Sequence, residues 1–122
     1  MTDPLHTLAS ALTAAGFEGI ETEGAVLYAR TADALEFQAT ADDLYRLSIR
    51  YAVRASDAQR AAWMRANPKG RLDVAAGETE LTLSLPLDAD LAAGLADWAA
   101  LVHAGAVAAV DWRRGQKPLY GM

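Results

Sequence analysis

The stretch Arg71–Leu87 constrains the fold most, because its apolar residues alternate with polar ones. A period of two is typical of a β-strand with one buried face. Gly77 marks a turn that divides the stretch into a hairpin, and Pro86, which has no backbone N–H, predicts the end of the second strand. Burying its leucines is worth about 6–12 kcal/mol, comparable with the net stability of a small domain. We therefore expect the rest of the chain to pack on one face of this hairpin. The leucines in question are Leu81, Leu83, Leu85 and Leu87.

Length and composition exclude several classes of protein. The chain has 122 residues, which predicts one domain over residues 1–122, and a formal net charge of -5, which disfavours nucleic-acid binding over the whole surface. It has no cysteine, which excludes disulfides, thiolate zinc sites and cysteine nucleophiles. We expect no membrane-spanning segment and no secretory signal, so the expected location is the cytoplasm.

The first helix is predicted to begin at Asp3 and Pro4 and to end at Gly16. Asp3 can accept from free amides, Pro4 has a helical φ, and Gly16 suits a left-handed cap. Its apolar face must lie on the rest of the chain, but terminal helices are easily displaced, so we also treat this face as a candidate groove for a partner. The face consists of Leu5, Leu8 and Leu12.

Three strands are predicted before the second helix, at Ala25–Arg30, Leu35–Thr40 and Tyr45–Val53. Their short connections indicate an antiparallel meander. Residues 17–24 contain glycines and predict at most a weak edge strand. The acidic residues in this stretch are expected to form a solvated loop: Glu18, Glu21 and Glu23.

The second helix is predicted to begin with a capping box formed by Ser56 and Gln59. Its C-terminal stop is the turn sequence Asn67–Gly70, which contains proline and glycine.

The last helix is predicted to begin at a cap provided by Asp88. Gly105 weakens the helical pattern, and the tail from Gly115 to Met122 is expected to fray. The apolar stripe of the helix is formed by Leu91, Leu95, Trp98 and Val102.

The predicted order is α-β-β-β-α-β-β-α, an α+β fold with a largely antiparallel sheet and segregated helices. This order resembles the type III secretion chaperone-like fold, which includes class I (CesT-like) secretion chaperones and the YbjN-type family. The similarity in residues is best from Trp63 to Trp112, where a tryptophan helix leads into a strand, a glycine turn, a leucine strand and a closing helix. The resemblance implies a homodimer that binds a protein partner without a cofactor, and it carries over no catalytic residues.

A row of arginines is the sharpest exposed feature of the predicted strands. Arg46, Arg50 and Arg54 recur at every second outward position, over about 26 Å. Such a row could bind an acidic peptide or a phosphate backbone. The alternative, which we favour, is local pairing with carboxylates on neighbouring strands. The candidate carboxylates are Glu36, Glu78 and Glu80.

Trp63 and Met64 lie on the short second helix and have two interpretations. Trp63 either fills the core or anchors a dimer interface, where tryptophan is enriched. The residues alone favour the core, whereas the resemblance makes the interface equally acceptable.

Two histidines and a pair of aspartates are the remaining candidates for chemistry. His6 and His103 are single histidines on predicted helices, without a recognisable triad motif. Asp88 and Asp90 could hold a divalent metal, but they open a helix, where capping explains them better.

Together with the resemblance, which implies the homodimer and the protein partner, the residues predict a non-enzymatic protein-binding module that acts as a chaperone, adaptor or regulator, without metal or cofactor. The alternative is a nucleic-acid-associated regulator that uses the arginine row. A small enzyme of unknown reaction has the weakest support. An extended segment of a partner would bind at an apolar groove between sheet and helix.

Overall fold

The computed structural model describes residues 3–116, in which six antiparallel strands form one sheet flanked by three helices. The strand order across the sheet is β1-β2-β3-β4-β6-β5, so the last hairpin joins the meander through β6 and leaves β5 at an edge. The elements in chain order are α1 (Pro4–Ala14), β1 (Glu18–Glu23), β2 (Val26–Arg30), β3 (Glu36–Ala41), β4 (Leu44–Tyr51), α2 (Asp57–Ala66), β5 (Arg71–Ala75), β6 (Glu78–Pro86) and α3 (Leu91–Gln116).

The predicted α+β class is confirmed, with one strand more than the predicted order contains. That strand is β1, which forms the edge of the sheet beside β2. Glu18–Glu23 is thus the weak edge strand that the sequence allowed, and not a loop, whereas the expected exposure of its acidic side chains is confirmed. Its register shifts between Glu18 and Glu21, where Gly19 has a φ of +60° and lies against the guanidinium of Arg30.

The predicted ends of the first two helices are confirmed. The Asp3 side chain accepts from the Leu5 N–H at 3.1 Å, and Gly16 closes α1 with a φ of +89°. In α2, the Gln59 N–H donates to Ser56 Oγ at 3.1 Å and the Ser56 N–H donates to Gln59 Oε1 at 2.8 Å. Each cap satisfies amides that a helix leaves free at its first turn.

Strand β4 ends at Tyr51, two residues before the predicted end at Val53. Tyr51 pairs with Thr79, and beyond it the chain turns tightly: the Val53 N–H donates to the Tyr51 carbonyl at 2.7 Å, and the Thr79 N–H donates to the Val53 carbonyl at 2.9 Å. The Thr79 side chain also binds the segment that follows β4. Its Oγ1 donates to the Val53 carbonyl at 2.7 Å and accepts from the Ala55 N–H at 2.9 Å. Val53 lies outside the sheet but is still buried, which explains why the apolar alternation of the sequence extends to it.

Helix α3 differs from its prediction at both ends. Its first turn is capped by Asp90, whose Oδ1 accepts from the Ala93 N–H at 3.2 Å, so the assignment of the cap to Asp88 is wrong. The helix continues through Gly105 to Gln116, so the tail does not begin at Gly115, and residues 117–122 lie outside the described residues. Leu87, expected among the buried leucines, is 42% exposed because β6 ends at Pro86.

Two buried glycines let α3 approach the sheet closely. A Cβ on Gly94 would lie 2.6 Å from Leu85 Cδ1, and one on Gly105 would lie 2.7 Å from Tyr51 Cζ. The Tyr51 hydroxyl donates to the Val102 carbonyl at 2.8 Å, which ties the helix to β4. Burial raises the pKa of Tyr51 well above its usual value.

All three helices lie on one face of the sheet. Helix α3 crosses β4 and β6, α1 packs on β1 and β3, and α2 packs beside β5. The aromatic rings of Phe17, Phe37 and Trp98 form two successive edge-to-face contacts, each with centroids 5.6 Å apart. No helix of the described chain covers the opposite face, and we refer to it below as the open face.

Candidate binding surfaces

The predicted arginine row is only partly formed on the open face. Arg46 and Arg50 project from β4, whereas Arg54 lies beyond the end of the strand. Arg50 Nε lies 3.2 Å from Glu80 Oε2, and the two residues are directly opposite in the ladder. The local pairing that we favoured is thus present for Arg50. Binding of an anionic partner at this row stays a prediction.

Acidic side chains interrupt the positive potential of the open face. Glu36 flanks the row on β3, and Asp73 lies opposite Glu80 on β5. Arg71 Nε lies 2.9 Å from Asp73 Oδ2, and this contact raises the pKa of Arg71. Arg46, which lies opposite Ser84, makes no ion pair among residues 3–116.

We expect Arg50→Gln to leave the retention of the protein on a heparin column unchanged. Glu80 already compensates the Arg50 charge, and the chain carries a net charge of -5. Salt-gradient elution at pH 7 measures this, with Arg65→Gln on the exposed side of α2 as the matched control. Retention at physiological salt that is lost in Arg50→Gln but kept in Arg65→Gln would revive the anion-binding interpretation.

The apolar face of α1 is part of the core. Leu8 and Leu12 are fully buried and Leu5 nearly so. The face is therefore covered in the folded chain, and a partner could use it only after α1 had been displaced. His6, on the other side of α1, is exposed.

Trp63 and Met64 are neighbours in sequence but lie in different surroundings. Trp63 is 7% exposed within one chain, and its ring contacts Gly70 in the core. This favours the core interpretation of Trp63. Met64 is half-buried and lines a surface groove of about 330 Å³ between α2 and the edge strand β5.

This α2–β5 groove has an apolar floor and paired charges at its rim. Ala61, Met64 and Leu72 form the floor. The rim contains two ion pairs, Arg60 with Asp57 and Arg71 with Asp73.

A backbone N–H group of β5 points into the same groove. Strand β5 pairs only with β6 within the described chain, so its other edge is free. On that edge the Leu72 N–H reaches Met64 Sδ at 3.4 Å, and a thioether sulfur is a weak acceptor. The sequence pattern does not reveal this groove. Hydropathy shows that Leu72 lies in a strand but not that the strand forms an edge.

His103 lies close to a carboxylate. Its Nδ1 is 3.8 Å from Asp33 Oδ2, while Asp33 Oδ1 accepts from Thr31 Oγ1 at 2.6 Å. The Thr31 hydroxyl, followed by a backbone hydrogen bond and His103, lowers the pKa of Asp33. Thr31 Oγ1 also accepts from the Leu35 N–H, so this hydroxyl holds the loop between β2 and β3.

The aspartates at the start of α3 do not form a metal site with other ligands. Asp90 caps the helix, and Asp88 is exposed. Within residues 3–116, no three His, Asp or Glu side chains lie close enough together to hold a metal ion.

Helix α3 is long and apolar enough to cross a membrane by length and composition alone. It has 26 residues and a mean hydropathy of 1.5 over 18 of them, so an apolar run of spanning length is present, although the expectation that no segment spans a membrane stays a prediction. In the fold, the inner side of α3 packs on β4 and β6. A core helix of a folded domain meets the same criterion.

No protein-family model, curated protein or solved structure matches this chain.

Proposed function

We propose that this chain is a non-enzymatic, homodimeric binding module that holds an extended segment of a partner protein at the α2–β5 groove. It acts in the cytoplasm as a chaperone, adaptor or regulator and needs no cofactor. The observation that carries the proposal is the free edge of β5, with a backbone donor that has only a thioether as acceptor.

A segment added to β5 would provide a better acceptor for that donor. A peptide carbonyl is a stronger acceptor than a thioether, and Met64 is flexible enough to move aside. Val74, two residues along the same strand, directs its N–H to the same side as Leu72. Backbone pairing of this kind supplies affinity, and the side chains of alternate residues supply specificity.

The groove also indicates the composition of the segment. Residues facing the floor would be apolar, because they would contact Met64 and Leu72. Residues on the opposite side would face Arg71 and Asp73 on the open face, so they would alternate in charge. We therefore infer a segment with apolar residues at every second position and charged residues between them.

We expect Met64→Arg to weaken the binding of such a segment at least tenfold. Ten-residue peptides selected from a displayed random library against the full chain serve as the probe, with affinities from fluorescence anisotropy. Ala62→Arg places the same side chain on the exposed side of α2 and is the matched control. Ala61 also lines the groove, so Ala61→Arg replaces Met64→Arg in this test if Met64→Arg folds poorly.

Hydrogen exchange provides a second measurement of the same prediction. Peptide binding is expected to slow exchange at the amides of Leu72 and Val74, because both would enter a new ladder. A library that yields no binder contradicts the proposal. So do peptides that bind Met64→Arg and Ala61→Arg as tightly as the native chain.

The nucleic-acid alternative has weaker support from the described residues. Of the predicted row, Arg50 is paired with Glu80 and Arg54 lies outside the strand. Steep loss of binding to an oligonucleotide with increasing salt remains the observation that would favour it.

A further inference from the structure

From Ala93 to Val110 one side of α3 is exposed and carries small or apolar side chains, with the imidazole of His103 as its one titratable group. We call this surface the outer stripe. Val107 and Val110 are 55% and 43% exposed there, the largest apolar side chains on the stripe. The stripe repeats every three or four residues, the spacing of a helix that packs lengthwise on another helix. Its members are Ala93, Ala96, Ala100, His103, Val107 and Val110.

Two ionisable groups of the helix contact their own chain, whereas Asp111, exposed just beyond Val110, makes no ion pair among residues 3–116. Asp97 Oδ2 lies 3.0 Å from Lys69 Nζ on one flank, and His103 Nδ1 lies 3.8 Å from Asp33 on the other. Apart from the imidazole of His103, the middle of the outer stripe therefore presents only small or apolar side chains. Such a surface is expected to be covered by another apolar surface.

Side-chain size changes along the outer stripe in one direction. The first half has only alanines, and the second half has His103, Val107 and Val110. An antiparallel second copy of α3, centred between residues 101 and 102, would place Ala93 opposite Val110 and Ala96 opposite Val107. Small residues would then face larger ones along the whole contact, which close packing of helices requires.

Charge changes along α3 in the same direction. Asp88 and Asp90 precede the helix, and at its other end Arg113 and Arg114 outnumber Asp111. The antiparallel arrangement would bring the acidic end of each copy against the basic end of the other. The helix dipoles would also be antiparallel, whereas a parallel pair would place like charges together.

We propose that the outer stripe of α3 is the surface through which two copies of this chain form an antiparallel, two-fold symmetric dimer. The inference deepens the proposed function, because it names the interface of the homodimer included there. It also places that interface away from Trp63, which is buried in the core.

The size of the contact sets the expected strength of the dimer. From Ala93 to Val110 the helix is about 26 Å long, and a contact one helix wide covers on the order of 300 Å² on each copy. Stable complexes bury roughly 1,200–2,000 Å² in total. We therefore expect a reversible dimer whose population depends on protein concentration.

Sedimentation equilibrium of the full chain tests the association. We expect the mass to increase from 13.0 kDa towards twice that value over a roughly hundredfold range of concentration. Val107→Glu is expected to remain monomeric, because the contact would bury two carboxylates. Ala62→Glu, on the exposed side of α2, is expected to dimerise like the native chain. A native chain that stays monomeric overturns the proposal, as does dimerisation of Val107→Glu.

Cysteine cross-linking tests the orientation, and the chain contains no native cysteine. Mixing Ala93→Cys with Val110→Cys under mild oxidation is expected to give a disulfide between the two variants. Ala93→Cys alone is expected to give almost none, because two copies of residue 93 would be about 26 Å apart along the helices. Efficient cross-linking of Ala93→Cys to itself would indicate a parallel pair and overturn the antiparallel arrangement.

Peptide binding to Val107→Glu separates this inference from the proposed function. The outer stripe does not line the α2–β5 groove, so the monomeric variant is expected to bind selected peptides with unchanged affinity. A chain that dimerises as described but binds no peptide contradicts the peptide-binding function alone. A chain that binds peptide but never dimerises contradicts the α3 interface.

Discussion

Gly105→Ala is expected to lower the free energy of unfolding by about 2 kcal/mol, although alanine is the better helix former. Within an ordinary helix this change would gain up to about 1 kcal/mol. Here the new Cβ would lie 2.7 Å from Tyr51 Cζ and closer still to its hydroxyl, so either the helix or the Tyr51 ring, which is bonded to the Val102 carbonyl, would have to shift. Overpacking of this kind costs about 1–3 kcal/mol. Urea unfolding followed by tryptophan fluorescence measures the change.

Gly115→Ala is the matched control on the same helix. A Cβ at Gly115 meets only Gln59 Nε2 at 3.7 Å, an ordinary contact, so this variant is expected to be as stable as the native chain or slightly more stable. Combining Gly105→Ala with Tyr51→Leu is expected to cost less than the sum of the single changes, because the two side chains share one contact. Equal effects of the two alanine substitutions would contradict the close approach of α3 to β4.

Leu8→Ala is expected to lower the free energy of unfolding by about 2–5 kcal/mol, the range for a fully buried leucine. For a chain of this size the melting temperature should fall by about 4 °C per kcal/mol. Differential scanning calorimetry at constant protein concentration measures this. The reason is that α1 covers β1 and β3 and contacts α3, so shortening Leu8 leaves a cavity among three elements.

Ser10→Ala provides the comparison for Leu8→Ala. Ser10 is exposed on the opposite side of α1, and the substitution is expected to be neutral or slightly stabilising. If Leu8→Ala were as mild as Ser10→Ala, α1 would contribute little to the core. The hypothesis that a partner displaces α1 would then gain support.

Local patterns in the sequence were sufficient to predict most elements. The alternation in β4 and β6 and the caps at Asp3 and Ser56 depend on neighbouring residues, so they are visible without the fold. The sequence predicts β1 only weakly as a strand, because an edge strand with exposed side chains has little hydrophobic pattern.

Features that depend on register could not be predicted. The end of β4 depends on the turn from Tyr51 to Val53 and its bond to Thr79, and the pairing of Arg50 with Glu80 depends on the alignment of β4 with β6. At α3, Asp88 and Asp90 are chemically equivalent as caps, and only the course of the chain selects Asp90. The α2–β5 groove requires knowledge of which strand lies at the edge.

The position of β4 has a consequence for how the chain folds. Its final neighbour β6 follows in sequence only after α2 and β5. During synthesis β1–β4 can pair locally, but β4 then exposes a free hydrogen-bonding edge until the later hairpin leaves the ribosome. The pairing of β6 with β4 joins segments that are distant in sequence, so this step should limit the folding rate. Aggregation should be most probable before β6 has paired.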